Sequence, residues 1–339
     1  MHGHRREPRS CQNSPMAESQ EWAAPESLQP SPDELQFDLP RALDAMVQLR
    51  AIVPDDAFTA GILGTERSGY GAVIGDSGLV LTIGYLITEA STIWLTTNRG
   101  DVVSGWPILY DQVTGFGLIQ PLGKLNTPWL ERGSIAGVEV GDVLTVIGHG
   151  GRAHAIKTRL VDKREFAGYW EYLLDTALFT SPAHPEWSGA ALLDTDGRLV
   201  GIGSLLVQEE VDGKKSHANM FVPIDLVEPI LADLDSGKRN APAPRPWLGM
   251  YTQEADGNLV VAGLAPDGPA ERGGVRQGDL VLGVAGTRAR GLAEFFKLVW
   301  RQGAAGVEVP LSLARAGDVL RVNVKSADRN DFLKKPDLH

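Results

Sequence analysis

The spacing of hydrophobic and polar positions changes period several times along the chain. From Leu39 to Val53 the apolar residues Leu39, Leu43, Met46, Val47 and Leu49 fall near helical spacing, which predicts one amphipathic helix packed onto the body that follows. Beyond it, to about Pro223, the pattern shortens into the β-rich runs YGAVIG, GLVLTIG, STIWLTT, GFGLIQP, DVLTVIG, GAALLD and GRLVGIGSLLV. Gly, Asp and Asn separate these runs, so an antiparallel barrel or sandwich is expected, and no βαβ alternation is visible. The string Asn98-Arg99-Gly100-Asp101 lies between two such runs and reads as a hairpin turn. A helix over Asp225–Leu234 comes next, and the Pro-rich stretch NAPAPRP then marks a domain boundary. From Pro246 to Lys325 the runs WLGMY, NLVVAGL and GDLVLGVAG, a helix over Leu292–Gln302, and the closing strands VEVPLSL and VLRVNV predict a small α+β module.

The expected fold class is therefore mainly β: an antiparallel barrel or sandwich domain followed by a small α+β domain. The predicted organisation is a disordered leader over 1–37, the barrel domain with its N-terminal helix over 38–240, a linker over 241–245, the module over 246–326 and a tail over 327–339. The leader is rich in Pro, Ser and charge and lacks the apolar core of a secretory signal, and Met16 is an alternative start. With no run of about 18 apolar residues either, the expectation is a cytoplasmic protein that does not enter a membrane.

Composition narrows the function classes. In 339 residues, 43% hydrophobic and 22% charged, there is an ordinary globular balance and enough chain for two cores. The formal charge of −11 argues against a nucleic-acid partner, which would need clustered Lys and Arg. Cys11 is the only cysteine, so no intramolecular disulfide can form. His2 and His4 belong to the leader, while His149, His154 and His184 have no carboxylate or cysteine at ligand-like spacing, so no metal is expected. GYGAVIG lacks the following helix of a dinucleotide loop, and no cofactor is expected.

Candidate chemistry centres on Tyr85 in GLVLTIGYLITEA, Gly115 in DQVTGFGLIQ and Ser188 in HPEWSGAALLD. Peptide hydrolysis by a serine needs an imidazole to take its proton, a carboxylate to orient that imidazole, and two backbone N–H groups facing the oxyanion. WSGAALLDTDGRLVGIGSL, followed later by FVPID, resembles the nucleophile segment of the HtrA/Deg branch of trypsin-like serine peptidases. Likewise GYGAVIGDSGLVLTIGYLI resembles the segment whose T-x-x-H turn carries the family's histidine, and TGFGLIQ the strand that carries its aspartate. The resemblance implies a trypsin-like, two-lobed antiparallel β-barrel domain with a degenerate triad: Tyr85 stands at the histidine position, Gly115 at the aspartate position, and Ser188 is a remnant nucleophile. Asp111 belongs to the turn before that strand. A phenol titrates at about 10 and is a poor base at neutral pH, glycine orients nothing, and Glu186 replaces the glycine of the oxyanion turn. A pseudo-peptidase is expected. The alternative is a divergent, active serine endopeptidase using Ser188 with a nonstandard base: His184, then His149 or His154, or Lys157 in a Ser–Lys arrangement.

The phrase WLGMY followed by LVVAGLAPDGPAERGGVRQGDLVLGVAG resembles a PDZ domain of the HtrA type, matched at Gly268-Pro269-Ala270, Gly274-Val275, Gly278-Asp279 and Gly286. Such domains bind a peptide C-terminus by strand addition, with the terminal carboxylate held in a nest of backbone N–H groups. The resemblance implies a nest at Trp247, Leu248, Gly249 and Met250, a pairing strand from Tyr251, and a helical wall carrying Phe295, Leu298 and Val299. The expected partner is a peptide or protein C-terminus with an apolar last residue, bound in an adaptor, regulatory or quality-control role. A homo-oligomer, a trimer in many relatives, is a further expectation from the resemblance, with a purely structural role in such an assembly as a third possibility.

Overall fold

The computed structural model describes residues 22–211, 213–236 and 243–335. Three sheets carry the architecture. The first is a closed barrel of β1 (Met46–Ile52), β2 (Glu66–Val73), β3 (Val80–Ile83), β4 (Thr92–Thr97), β5 (Val102–Tyr110) and β6 (Phe116–Pro121), in the order β1-β2-β3-β6-β5-β4. The second is a closed barrel of β7 (Val143–Ile147), β8 (Ala155–Gly168), β9 (Tyr172–Ser181), β10 (Ala191–Leu193), β11 (Leu199–Val211) and β12 (Lys214–Pro223), in the order β10-β11-β12-β9-β8-β7. Closing each sheet on itself removes its edges, which is how a chain of short antiparallel strands avoids unpaired backbone groups.

The helix expected over Leu39–Val53 is corrected. Only α1 (Leu39–Asp44) is helical, started by Asp38, whose carboxylate accepts from the Arg41 N–H at 3.0 Å. From Met46 the chain is strand β1, with Val47, Leu49 and Ala51 buried and Gln48 and Arg50 exposed. Over these few residues helical and alternating spacing overlap, and pairing with both β2 and β4 decides for the strand.

The leader is corrected in part. His2, His4, Cys11 and Met16 lie outside the described residues, but Trp22 onward runs along the second barrel. The Ala24 N–H donates to the Ala153 carbonyl at 2.7 Å and the Lys157 N–H to the Leu28 carbonyl at 2.7 Å. Trp22, Ala24, Leu28, Leu35 and Phe37 supply the apolar contacts that fix this segment, despite its polar composition.

After α2 (Ala60–Leu63) in the first barrel, the next helix is α3 (Glu228–Ser236), where the sequence predicts one. The third sheet comprises β13 (Met250–Ala255), β14 (Asn258–Leu264), β15 (Leu280–Val284), β16 (Thr287–Arg288), β17 (Glu308–Arg315) and β18 (Asp318–Lys325), with β13 at one edge. Two helices, α4 (Pro269–Arg272) and α5 (Leu292–Trp300), complete this module. Of the expected linker only 243–245 is described, and it is packed: the Pro244 carbonyl accepts from the Ala305 N–H at 2.8 Å, and the Arg245 guanidinium sits 4.2 Å from the centre of the Trp300 ring.

Candidate functional sites: the inter-barrel cleft and the module edge

The two barrels meet at Ser188, beside a cleft of about 460 Å³ lined in part by Gln48, Leu63, Glu66, Tyr85 and Trp187. The first barrel contributes Tyr85, on a 3-10 turn (Gly84–Leu86) directly after β3. Its hydroxyl lies 2.5 Å from Ser188 Oγ and 2.9 Å from the Ser204 carbonyl oxygen. A carbonyl can only accept, so the single phenol proton is committed to Ser204, and the Ser188 hydroxyl donates to the Tyr85 oxygen. Burial pushes the Tyr85 phenol up to about 12, so that oxygen stays part of a neutral phenol at ordinary pH.

Gly115 sits at φ 83°, and a Cβ there would meet the Tyr172 hydroxyl at 3.0 Å. The Tyr172 hydroxyl donates in turn to the Thr114 carbonyl at 2.5 Å, so a side chain from β9 occupies the space beside Gly115. Asp111 closes its own turn, accepting from the Thr114 N–H at 2.9 Å and the Thr114 hydroxyl at 2.6 Å.

The alternative bases point elsewhere. His184 is fully buried: its Nδ1 accepts from the Glu186 N–H at 3.1 Å, its Nε2 faces the His154 carbonyl at 3.1 Å, and Trp22 packs edge-on at 4.8 Å. Burial lowers its pKa, favouring neutral imidazole. With one ring nitrogen accepting from Glu186 and the other facing His154, neither serves Ser188. His149 Nε2 lies 3.2 Å from the Thr97 carbonyl, and His154 faces Trp22 and Glu186. The Lys157 ammonium pairs with Glu34 at 2.7 Å.

The His184–Glu186 contact bears on the oxyanion turn as well. In an oxyanion hole the amide two residues before the serine faces the cleft. Here that amide, of Glu186, is spent on His184, while the Glu186 carboxylate accepts from the Tyr70 hydroxyl.

In the C-terminal module, Leu248 and Met250 direct their N–H groups to one point, and Gly249 between them adopts φ 68°. That point is occupied. The Glu171 carboxylate, from the turn between β8 and β9, accepts from Leu248 at 3.0 Å and from Met250 at 3.0 Å. Burial pushes the Glu171 carboxyl up to about 7, opposed by the amides of Met250, Leu248 and Gly249 and by the Arg329 guanidinium. The groove expected from sequence is thus occupied by a segment of this same chain. Phe295, Leu298 and Val299 are buried in one cluster with Leu248, Met250 and Leu173 of β9, and α5 packs against both β8 and β9. Trp247 is buried against Phe58 and Phe332, and half-buried Tyr251 meets Tyr169 edge-on at 6.2 Å. Sequence reasoning passed over Glu171. Its one local signal is the run GYWEY, a tight turn of aromatic residues with a glutamate where glycine or asparagine is usual.

Comparison with known proteins agrees with this layout. Residues 69–202 match the trypsin-like peptidase domain family and residues 246–326 the PDZ domain family. Over 279 residues the chain is 24% identical to a probable periplasmic serine endoprotease, DegP-like, of Halomonas elongata, an alignment covering 78% of this chain and 57% of that one. It is 25% identical to the putative serine protease HhoA of Synechocystis, covering 76% of this chain and 70% of the relative. It is 22% identical to the serine endoprotease DegS of Haemophilus influenzae, covering 77% of each. Solved structures of the HtrA-type protease AlgW with a tripeptide and with a decapeptide each superpose with a TM-score of 0.50 at 20% identity. They cover 88% of this chain and 96% and 98% of theirs, a likeness of fold.

The chain is thus a trypsin-like peptidase domain joined to a PDZ domain. It spans little more than half the length of the Halomonas relative, at 57%. Within that class it is similar to the DegP-like, HhoA and DegS serine proteases, at 22–25% identity.

Proposed function

We propose that the chain is a catalytically inactive HtrA-type homologue whose PDZ domain binds peptides or protein C-termini ending in an apolar residue, in an adaptor or regulatory role. The observation that carries the inactivity is the partner of Ser188: at 2.5 Å it donates to a buried phenol oxygen that has no basicity at neutral pH. Nucleophilic attack requires the serine proton to leave as the C–O bond forms, and neither Tyr85 nor His184 takes it up. The Glu186 amide, turned onto His184, is also missing from the place where an oxyanion would need it. Peptide binding is supported by the converging N–H groups of Leu248 and Met250, which already hold a carboxylate.

A fluorophosphonate probe tests the inactivity. Wild type and Ser188→Ala are expected to label equally, at background; wild-type labelling that Ser188→Ala abolishes overturns the reading.

A further inference from the structure

The turn carrying Glu171 is built at a conformational cost. β8 and β9 pair up to Gly168 and Tyr172, leaving the three-residue loop Tyr169-Trp170-Glu171. In loops of this length the third residue is left-handed and commonly glycine. Glu171 takes that conformation, at φ 62°, with a full side chain. Such a residue persists only where its surroundings over-determine it, and here the surroundings are the PDZ nest.

The contacts around Glu171 follow the form of a bound peptide. Its carboxylate lies on the Leu248 and Met250 amides, where a terminal carboxylate is held. Two residues upstream, the Tyr169 carbonyl accepts from the Thr252 N–H at 3.2 Å, a strand-like hydrogen bond on the free edge of β13. Leu173 places an apolar side chain in the cluster with Phe295, Leu298 and Val299, and Lys297 of α5 pairs with Glu165 of β8. Carboxylate, edge hydrogen bond and apolar anchor thus all come from one hairpin.

We propose that the β8–β9 hairpin tip is an intramolecular ligand of the PDZ groove, with the Glu171 carboxylate standing in for a peptide C-terminus. A peptide enters only when this latch releases. The inference rests on the peptide-binding reading above, yet the latch also leaves a trace that needs no peptide.

The test uses the full chain and two variants. Glu171→Gly removes the carboxylate and suits the left-handed backbone; Glu171→Gln keeps the side-chain length and serves if the glycine variant does not fold. Backbone amide hydrogen exchange at Leu248 and Met250 is followed against the β7 amides as an internal reference. Binding is measured by fluorescence anisotropy with a fluorescein-labelled decapeptide ending in a leucine free carboxylate, with its carboxamide as control. Losing a charge-assisted acceptor is expected to speed exchange at Leu248 and Met250 by about tenfold or more, leave β7 unchanged, and tighten peptide binding by a similar factor. Unchanged exchange in both variants, or equal peptide affinity in wild type and variants, overturns the latch. Faster exchange with no peptide binding in any protein supports the latch and sinks the peptide-binding reading instead.

Discussion

Tyr85 is held at both ends of its hydroxyl, by Ser188 at 2.5 Å and the Ser204 carbonyl at 2.9 Å, and this fixes what substitution can achieve at the cleft. An imidazole at position 85 would still lack an orienting carboxylate. An aspartate at 115 would have to adopt a left-handed backbone and displace the Tyr172 hydroxyl, which lies 3.0 Å from the nearest possible Cβ. Tyr85→His combined with Gly115→Asp is therefore expected to give no hydrolysis of a casein substrate above background. The same double variant should lose about 1–3 kcal/mol of stability in chemical denaturation. Casein cleavage by the double variant, abolished again by Ser188→Ala, would show that the turned Glu186 amide is not limiting.

Among the elements, the corner joining β14, β15 and β17 depends on one buried carboxylate. Asp279, with its side chain 1% exposed, receives two hydrogen bonds from Arg315 at 2.6 and 2.7 Å and one from the Arg276 N–H at 2.8 Å. Arg315 above all holds the Asp279 carboxyl below its ordinary value of 3.8. A depressed carboxyl contributes stability that is complete above the ordinary value and disappears as pH falls through the depressed one. Arg315→Ala is expected to cost the module about 1–3 kcal/mol at pH 7, and this loss should shrink in urea titrations run below about pH 4. The same cost at both pH values would show that Arg315 acts by packing instead. The Gly278-Asp279 pair was legible in the sequence as part of the PDZ phrase, because turn chemistry is local. Seven of the twelve barrel strands were legible for the same reason, with alternation and glycine breaks in runs of six to eleven residues, whereas β5, β8, β9 and β12 coincide with no run that stands out in the sequence. Met46–Ile52 was misread because two periods coincide over so short a run. The direction of His184 was not legible at all, since Trp22, His154 and Glu186 set it. Nor was the filled groove, which brings Glu171 to a loop 77 residues away in sequence.

At the scale of the whole molecule the PDZ domain touches both barrels. Hairpin β8–β9 of the second barrel enters its groove. The segment after β18 reaches the first, where Phe332 packs on Phe58 and Trp247, Arg329 donates to the Tyr110 hydroxyl at 3.1 Å, and the Lys334 N–H donates to Glu89 at 2.8 Å. Charged and titratable groups meet Glu171 from each neighbouring element: Arg329 of this segment, Tyr251 of β13 and Tyr169 of the hairpin, while Lys297 of α5 is paired with Glu165. Docked, the Glu171 carboxyl titrates at about 7, against an ordinary 4.5. Between those values the docked form holds its proton more tightly than the released form, so docking is favoured as pH falls and weakened as pH rises through 7. A peptide α-carboxylate, titrating at about 3.5, stays ionised throughout. Affinity for the free-carboxylate decapeptide should therefore rise between about pH 5 and 8 in wild type and stay flat in Glu171→Gly. An equal slope in both proteins would place the titrating group elsewhere.

Because Glu171 and the Leu248–Met250 nest belong to one chain, the contact between them also sets a tempo. A competitor arriving from solution waits for the hairpin to let go, so its observed association rate should climb with concentration and then level off. The plateau is the opening rate of the hairpin, a clock that no increase in peptide can hurry.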